Sequence, residues 1–326
     1  MSSPVPSSPA ASSPRVSNHG IASRGVSSPG ASSPGVSRPV VSTQWLADHL
    51  GSDHLVILDA TVFALAPSES GPRYLSGRDD YLTKGHIPGA VFADLFDVFS
   101  DPAGKFEFSR PNALLFEAAA ASVGIDNGTT VIVYDAVLGQ WAARIWWLFR
   151  SFGYDDVAVL DGGLAKWHAE TRPFSTGGTR PRAVGRFTAT ERPELWVDKN
   201  FVESIVDGEA DAALVCSLPS AEFAGTAGAR PRAGHIPGSI SLPAAALVDP
   251  ATNAFLRGDQ LSATIAPAVA AVGSSGHLVT YCGGGIAAAA SALALIRAGN
   301  EHVSIYDGSL NEWTADASAP LSTPGR

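Results

Sequence analysis

The chain has 326 residues, of which 45% are hydrophobic, and a formal net charge of −9 at pH 7. A length near that of two average domains, with an ordinary apolar fraction, predicts a folded body. The acidic balance excludes a basic stripe for a nucleic-acid backbone and any attraction to anionic lipid, so we expect neither nucleic acid nor membrane among its partners.

Residues 1–39 differ in composition from everything that follows. They are built from Ser-Ser-Pro and Pro-Gly units and contain almost no large apolar side chains. Such a stretch buries too little surface to offset its ordering entropy, so we expect a disordered Ser/Pro-rich tail. It lacks the continuous apolar core of a secretory signal, and no later segment has the length of a membrane span. We therefore expect a cytoplasmic protein.

Short apolar and β-branched runs alternate with alanine- and leucine-rich segments along the rest of the chain. The predicted strands are residues 55–58, 130–134, 157–160, 213–215, 278–281 and 303–306. The main predicted helices are residues 112–123, 142–149, 260–272 and 288–298. This alternation is typical of α/β domains with a mostly parallel sheet flanked by helices. Ligands of such sheets bind at the carboxyl ends of the strands.

The chain is expected to contain two such domains. A segment rich in Gly, Arg, Pro and Thr, without periodicity, lies at residues 174–189 and is typical of a linker. We therefore predict a first domain at residues 40–173 and a second at residues 190–326.

Cys282 is the most informative residue of the second domain. It follows the predicted strand 278–281 and precedes three glycines and a predicted helix. Unpaired N–H groups and the positive end of a helix dipole favour a thiolate in that position, and glycines permit the sharp turn. We expect Cys282 to be the catalytic nucleophile. The N–H groups expected around its sulfur belong to Gly283, Gly284, Gly285, Ile286 and Ala287.

The second half repeats markers of the first half in the same order. Gly-His-Ile-Pro-Gly occurs at residues 85–89 and 234–238, and Asp-Gly-Gly/Ser-Leu-x-x-Trp occurs at residues 161–167 and 307–313. In each half, one copy of the first motif precedes a strand–loop–helix unit and one copy of the second motif follows it. This repeated order indicates a duplication.

The repeat sets Asp135 opposite Cys282, so only the second half can perform thiol chemistry and the first is predicted to be catalytically silent. Because His86 and His235 occur in both halves, we expect them to be structural hydrogen-bonding residues. Arg144 is expected to tie the first domain together.

Two cysteines are too few for a disulfide framework or a cysteine-type zinc site. The histidines show no metal-ligand spacing, and no Gly-x-Gly-x-x-Gly or Walker sequence follows a strand. We therefore predict no metal and no other cofactor.

These markers, with the one Cys-led loop in the second half, resemble the tandem rhodanese sulfurtransferases, a family that includes thiosulfate and 3-mercaptopyruvate sulfurtransferases. The resemblance covers about residues 41–320. It implies two tandem rhodanese-like domains and a cysteine that becomes a persulfide. Cys282 would take a sulfane sulfur from thiosulfate or 3-mercaptopyruvate and pass it to cyanide or a thiol.

The chain also departs from the family pattern. Cys216 and Leu218 stand where members carry Asp-x-Arg, and Glu222 stands near the place of a further Arg. Arg230 and Arg232 are candidates to bind the anionic donor instead. Cys216, close in the family fold to the strand before Cys282, is a candidate redox partner, although core packing is the simpler role.

The glycines after Cys282 offer neither the basic residues typical of thiosulfate enzymes nor the Ser typical of mercaptopyruvate enzymes, so the donor stays open. The alternative function is a module without turnover that carries sulfur or senses oxidants on the same scaffold.

Overall fold

The computed structural model describes Met1 and residues 33–68, 71–228, 230 and 232–323. The predicted tail lies outside the described residues except for Met1 and residues 33–39. Those last residues belong to the folded body, because the Val36 N–H donates to Asp156 Oδ1 at 2.7 Å and the Val159 N–H donates to the Pro39 carbonyl at 2.9 Å. The predicted boundary at residue 40 is therefore several residues too late.

The first half contains one parallel sheet, a hairpin and helices. Its strands are β1 (Val40–Val41), β2 (Leu55–Asp59), β3 (Val62–Ser68), β4 (Gly71–Ser76), β5 (Val91–Phe92), β6 (Thr130–Tyr134) and β7 (Val157–Leu160). Its helices are α1 (Thr43–His49), α2 (Arg78–Thr83), α3 (Ala113–Ser122), α4 (Gln140–Ser151) and α5 (Gly163–Ala169). The strand order is β1-β7-β6-β2-β5, and β3 and β4 form a separate antiparallel hairpin.

The second half has the same plan. Its strands are β8 (Trp196–Val197), β9 (Ala213–Cys216), β10 (Ile240–Ser241), β11 (Leu278–Tyr281) and β12 (Val303–Tyr306). Its helices are α6 (Lys199–Val206), α7 (Ser220–Phe223), α8 (Gly258–Ala270), α9 (Ile286–Arg297) and α10 (Ser309–Trp313). The sheet order β8-β12-β11-β9-β10, parallel throughout, matches that of the first half strand for strand. The predicted α/β architecture is confirmed.

The central strands form where the sequence predicts them because their residues are buried on both faces, as parallel strands between helices require. The two-residue edge strands and the β3–β4 hairpin were not predicted. Edge strands this short have no periodicity to detect. Pro67, Gly71 and Pro72 interrupt the apolar alternation of the hairpin, and such residues ordinarily indicate a loop.

The two halves share one hydrophobic core through the pair α4 and α9. Trp141, Trp146 and Trp147 of α4 are at most 1% exposed, and Ala288 and Ala289 of α9 are fully buried. Small alanines on one helix leave room for large indoles on the other. Each of these helices also follows the central strand of its own sheet, so the shared core places the loops before α4 and α9 near one another.

Candidate active site

Cys282 lies at the carboxyl end of β11, immediately before the turn that begins α9. Its side chain is only 3% exposed and lines a cavity of about 280 Å³. Gly285, the N-cap of α9, has a left-handed backbone with φ of 78°, which glycine adopts without strain. The chain thus folds back sharply and brings the first turn of α9 beside the sulfur.

Ser309 holds this loop from the other side. Its Oγ accepts hydrogen bonds from the Cys282 N–H at 3.2 Å and the Gly285 N–H at 3.1 Å, and donates to the Tyr306 carbonyl at 2.8 Å. The Gly285 amide is therefore engaged by Ser309 and does not face the sulfur. This corrects the prediction for Gly285. The N–H groups of Gly283 and Gly284 have no partner among the described residues.

The corresponding loop of the first half is filled by a carboxylate. Asp135 Oδ1 accepts from the N–H groups of Val137 and Gly139, and Oδ2 from those of Trp141 and Ala142, at 2.8–3.0 Å. Burial raises the pKa of Asp135, while the four amides oppose that shift. Gly139 caps α4 with φ of 76°, nearly the value at Gly285. The first loop is an anion-binding turn whose anion is part of the chain.

Arg230 lies against the Cys282 loop. Its Nη1 donates to Glu222 Oε2 at 2.8 Å, and a Cβ added to Gly283 would lie 2.0 Å from its Nη2. A side chain at position 283 would therefore displace the guanidinium from this place. The Nε atom is buried and has no partner among the described residues. Arg230, Glu222, Gly283 and Cys282 line the same cavity, which supports a role for Arg230 in holding an anionic donor.

Arg232 lies elsewhere. Its guanidinium donates to the carbonyls of Asp316 and Ala319, and the residue does not line the cavity of Cys282. Its contacts fix the segment after α10, so the structure gives no support to its predicted role in donor binding.

Cys216 is fully buried at the end of β9 and pairs in register with Tyr281. Burial, as the largest influence, raises the pKa of this thiol to about 11. Cys216 does not line the cavity. A buried thiol that stays protonated is inert toward small oxidants and donors, so its surroundings suit core packing better than a redox role.

The first half supplies much of the cavity wall, which sequence reasoning missed. The lining residues from this half include Leu65, Arg73, Tyr74, Glu107 and Trp141. The hairpin β3–β4 carries Leu65, Arg73 and Tyr74, while Trp141 lies in the first turn of α4, after the loop that holds Asp135. No local pattern indicates these residues, because they are far from Cys282 in the sequence.

Tyr74 is held firmly in that wall. Its ring packs edge-on against Phe108 and Trp141, with ring centroids 5.3 Å and 5.6 Å away. Burial, and next the charge of Cys282, raise the pKa of Tyr74 to about 12. The phenol therefore keeps its proton at neutral pH. Burial also raises the pKa of Glu107, although that side chain is largely exposed.

The motif histidines face the backbone in both halves. His86 Nδ1 lies 2.9 Å from the Tyr81 carbonyl, and His235 Nδ1 lies 2.8 Å from the Phe223 carbonyl. Each imidazole also stacks on the ring of that same partner residue. This repeated geometry agrees with the structural role expected from the sequence.

Arg144 connects the two halves rather than the first half alone, which corrects the expectation for it. It is 1% exposed, and its Nη2 lies 2.7 Å from Asp307 Oδ1 and donates to the Phe108 carbonyl at 2.8 Å. A Cβ added to Gly285 would lie about 3 Å from both the Arg144 and Asp307 side chains. The ion pair thus supports the turn that follows Cys282.

Within the described residues, no cluster of His, Cys, Asp and Glu side chains has an arrangement that could hold a metal ion. In that same part of the chain, every helix is too short or too polar to cross a membrane.

Comparisons with known proteins agree with this architecture. A family described as the rhodanese-like domain matches residues 42–170 and 199–316. The 3-mercaptopyruvate sulfurtransferase of Escherichia coli (strain K12) is 32% identical over 280 residues, which are 85% of this chain and 95% of that protein. Thiosulfate/3-mercaptopyruvate sulfurtransferase 2 of Arabidopsis thaliana is 30% identical over 300 residues, with 85% and 84% covered.

Solved structures show the same similarity. SseA from Escherichia coli, described as a 3-mercaptopyruvate sulfotransferase with the rhodanese fold, superposes with a TM-score of 0.70 at 30% identity, covering 83% of this chain and 98% of SseA. Tum1 from Saccharomyces cerevisiae shares the fold, with a TM-score of 0.75 at 24% identity, over 88% of this chain and 98% of Tum1. The resemblance inferred from the sequence motifs is confirmed. The chain therefore belongs to the rhodanese family, as a sulfurtransferase built from two rhodanese-like domains in tandem.

Proposed function

We propose that this sulfurtransferase moves a sulfane sulfur from 3-mercaptopyruvate or thiosulfate to cyanide or a thiol, through a persulfide on Cys282. Both donors are taken from the names of the related proteins, which mention 3-mercaptopyruvate and thiosulfate. The cytoplasmic location remains a prediction from composition.

One observation supports this proposal above the others. Cys282 lines a cavity at the start of α9, in a loop whose counterpart in the first half already binds a carboxylate with four amides. A turn of this kind suits a sulfur anion. The second half keeps the turn but replaces the built-in carboxylate with a nucleophile.

The reaction proceeds in two halves. The Cys282 thiolate attacks the outer sulfur of the donor, the bond from that sulfur to the rest of the donor breaks, and sulfite or the pyruvate enolate departs. The acceptor then attacks the outer persulfide sulfur and regenerates the thiolate, so the kinetics should be ping-pong. Arg230 and the free amides of Gly283 and Gly284 would hold the anionic parts of donor and persulfide.

We expect Cys282→Ser to abolish both thiocyanate formation from cyanide and the donor-dependent mass gain of about 32 Da that one sulfur atom adds. Cys216→Ala is the matched control. Because the Cys216 thiol is buried and away from the cavity, this variant should keep both signals. Thiocyanate assays with each donor and intact-protein mass spectrometry give the two readouts.

Thiocyanate formation by Cys282→Ser at the rate of the unchanged protein would refute the role of Cys282. A stable adduct on Cys282 that neither cyanide nor thiols remove would instead favour the alternative of a sulfur carrier or sensor without turnover.

A further inference from the structure

The two donors differ in what their leaving groups need. Thiosulfate releases sulfite, which departs with the electron pair of the broken S–S bond and needs no proton. 3-Mercaptopyruvate releases a carbon: breaking its C–S bond leaves an enolate, which must gain a proton at C3 to become pyruvate. A cavity that uses the second donor efficiently benefits from a positioned proton donor.

The Cys282 loop offers no such group. The residue two positions after Cys282 is Gly284, which has no side chain. Among the described residues that line the cavity there is no histidine, serine or threonine, and Tyr74 carries the one hydroxyl. Glu222 is engaged in its ion pair with Arg230.

Tyr74 meets the requirements for a proton donor. It comes from β4 of the non-catalytic half and lines the cavity that Cys282 also lines. Its ring is fixed between Phe108 and Trp141, so the hydroxyl has little freedom to swing away. Tyr74 thus brings a hydroxyl group to the wall of the same cavity as Cys282.

From this geometry we infer that Tyr74 is a catalytic residue that gives the departing pyruvate enolate its proton, an inference that rests on the proposed function. The Cys282 thiolate bonds to the thiol sulfur of the donor, and the C–S electron pair moves onto the carbon fragment. Tyr74 Oη passes its proton to C3 of the enolate. The resulting tyrosinate recovers a proton from the terminal S–H of the new persulfide. One proton moves from sulfur to carbon, and no oxidant or further reactant is needed.

The test compares donors in single-turnover experiments on the full chain. Formation of the Cys282 persulfide is followed by rapid quenching and mass spectrometry with 3-mercaptopyruvate, thiosulfate and sodium tetrasulfide. The last two release leaving groups that are stable anions. We expect Tyr74→Phe to slow the transfer from 3-mercaptopyruvate by about 100-fold or more while changing the other two reactions little. The solvent deuterium isotope effect on the first reaction should also change.

Two further variants sharpen the comparison. Tyr154→Phe removes a phenol that donates to the Thr129 carbonyl, away from the cavity, and should affect no donor selectively. Glu107→Gln removes the competing acid of the cavity wall and should leave the ratio of donor rates unchanged.

Equal slowing of all donors by Tyr74→Phe, or no slowing of any, would overturn the role of Tyr74, as would a selective loss in Glu107→Gln. If the unchanged protein gained no sulfur on Cys282 from any donor, the proposed function itself would fail. The two failures are therefore distinguishable.

Discussion

Ser309 controls the geometry around Cys282 through one oxygen atom. Its Oγ accepts hydrogen bonds from the N–H groups of Cys282 and Gly285. The Ser309 backbone has φ of 48°, a left-handed value that residues other than glycine rarely adopt. Its counterpart in the repeat is Gly163, with φ of 54°. The half that carries Cys282 thus has a strained serine where the first half has an unstrained glycine, and this difference was visible in the aligned sequence.

We expect Ser309→Ala to lower the free energy of unfolding by about 1–3 kcal/mol, because two buried amides lose their acceptor. The alkylation of Cys282 by iodoacetamide should also slow, since the loop would no longer be held in place. Urea denaturation and alkylation rates measure the two effects.

Ser309→Gly separates strain from hydrogen bonding. It removes the hydroxyl but relieves the left-handed backbone, so it should be more stable than Ser309→Ala and equally slow in alkylation. Alkylation of both variants at the rate of the unchanged protein would contradict this role of Ser309.

At the scale of elements, the sequence allowed the buried strands and the long helices to be predicted but not the cavity wall. The strand before Cys282 is buried throughout, and Asn112 caps α3 by accepting from the Leu115 N–H, so both local patterns had a structural cause. Tyr74 and Trp141 reach the cavity only through the packing of α4 on α9 and the position of the hairpin. Such contacts depend on tertiary structure, and no periodicity reports them.

Arg144 of α4 makes a buried contact with Asp307, which lies between β12 and α10 in the second half. We expect Arg144→Met to lower the free energy of unfolding by roughly 3 kcal/mol, because it leaves the Asp307 carboxylate without its main partner in a largely buried place. Activity should fall as well, since the pair supports Gly285. Denaturation with urea and steady-state rates check both effects.

Lys84→Met is the control for Arg144→Met. Lys84 pairs with Asp80, but its side chain is 74% exposed. Exposed ion pairs contribute little to the free energy of unfolding. Equal losses of stability in the two variants would show that the buried position of Arg144 has no special importance.

At the scale of the whole molecule, stability should depend on pH through His277. This residue is buried, its Nε2 lies 2.8 Å from Ser304 Oγ, and its ring stacks on His302 at 3.9 Å. Burial, and next the charge of His302, lower the pKa of His277 to about 4 from an ordinary 6.5. Between about pH 6.5 and pH 4 the unfolded chain therefore binds a proton at His277 that the folded protein does not bind. The contribution of His277 to the free energy of unfolding is complete above pH 6.5 and is lost as the pH falls toward 4.

We expect His277→Gln, which cannot take up a proton, to reduce the loss of stability between about pH 7 and 5 by about 2 kcal/mol. His54→Gln, at an exposed histidine, should leave the pH profile unchanged. Urea denaturation at several pH values across this pH range measures how the free energy of unfolding depends on pH. A profile of His277→Gln parallel to that of the unchanged protein would rule out this source of pH dependence.

The two copies of the repeat contribute different parts of the cavity that Cys282 lines. In the first copy the turn closes around Asp135, while the hairpin β3–β4 and Trp141 of the same copy line the cavity of Cys282. The reactivity of Cys282 and the selectivity of its cavity can consequently be changed by substitutions in different copies. Substitutions in the part of the cavity wall that the first copy supplies should change the fit of a ligand while leaving the loop of Cys282 as it is.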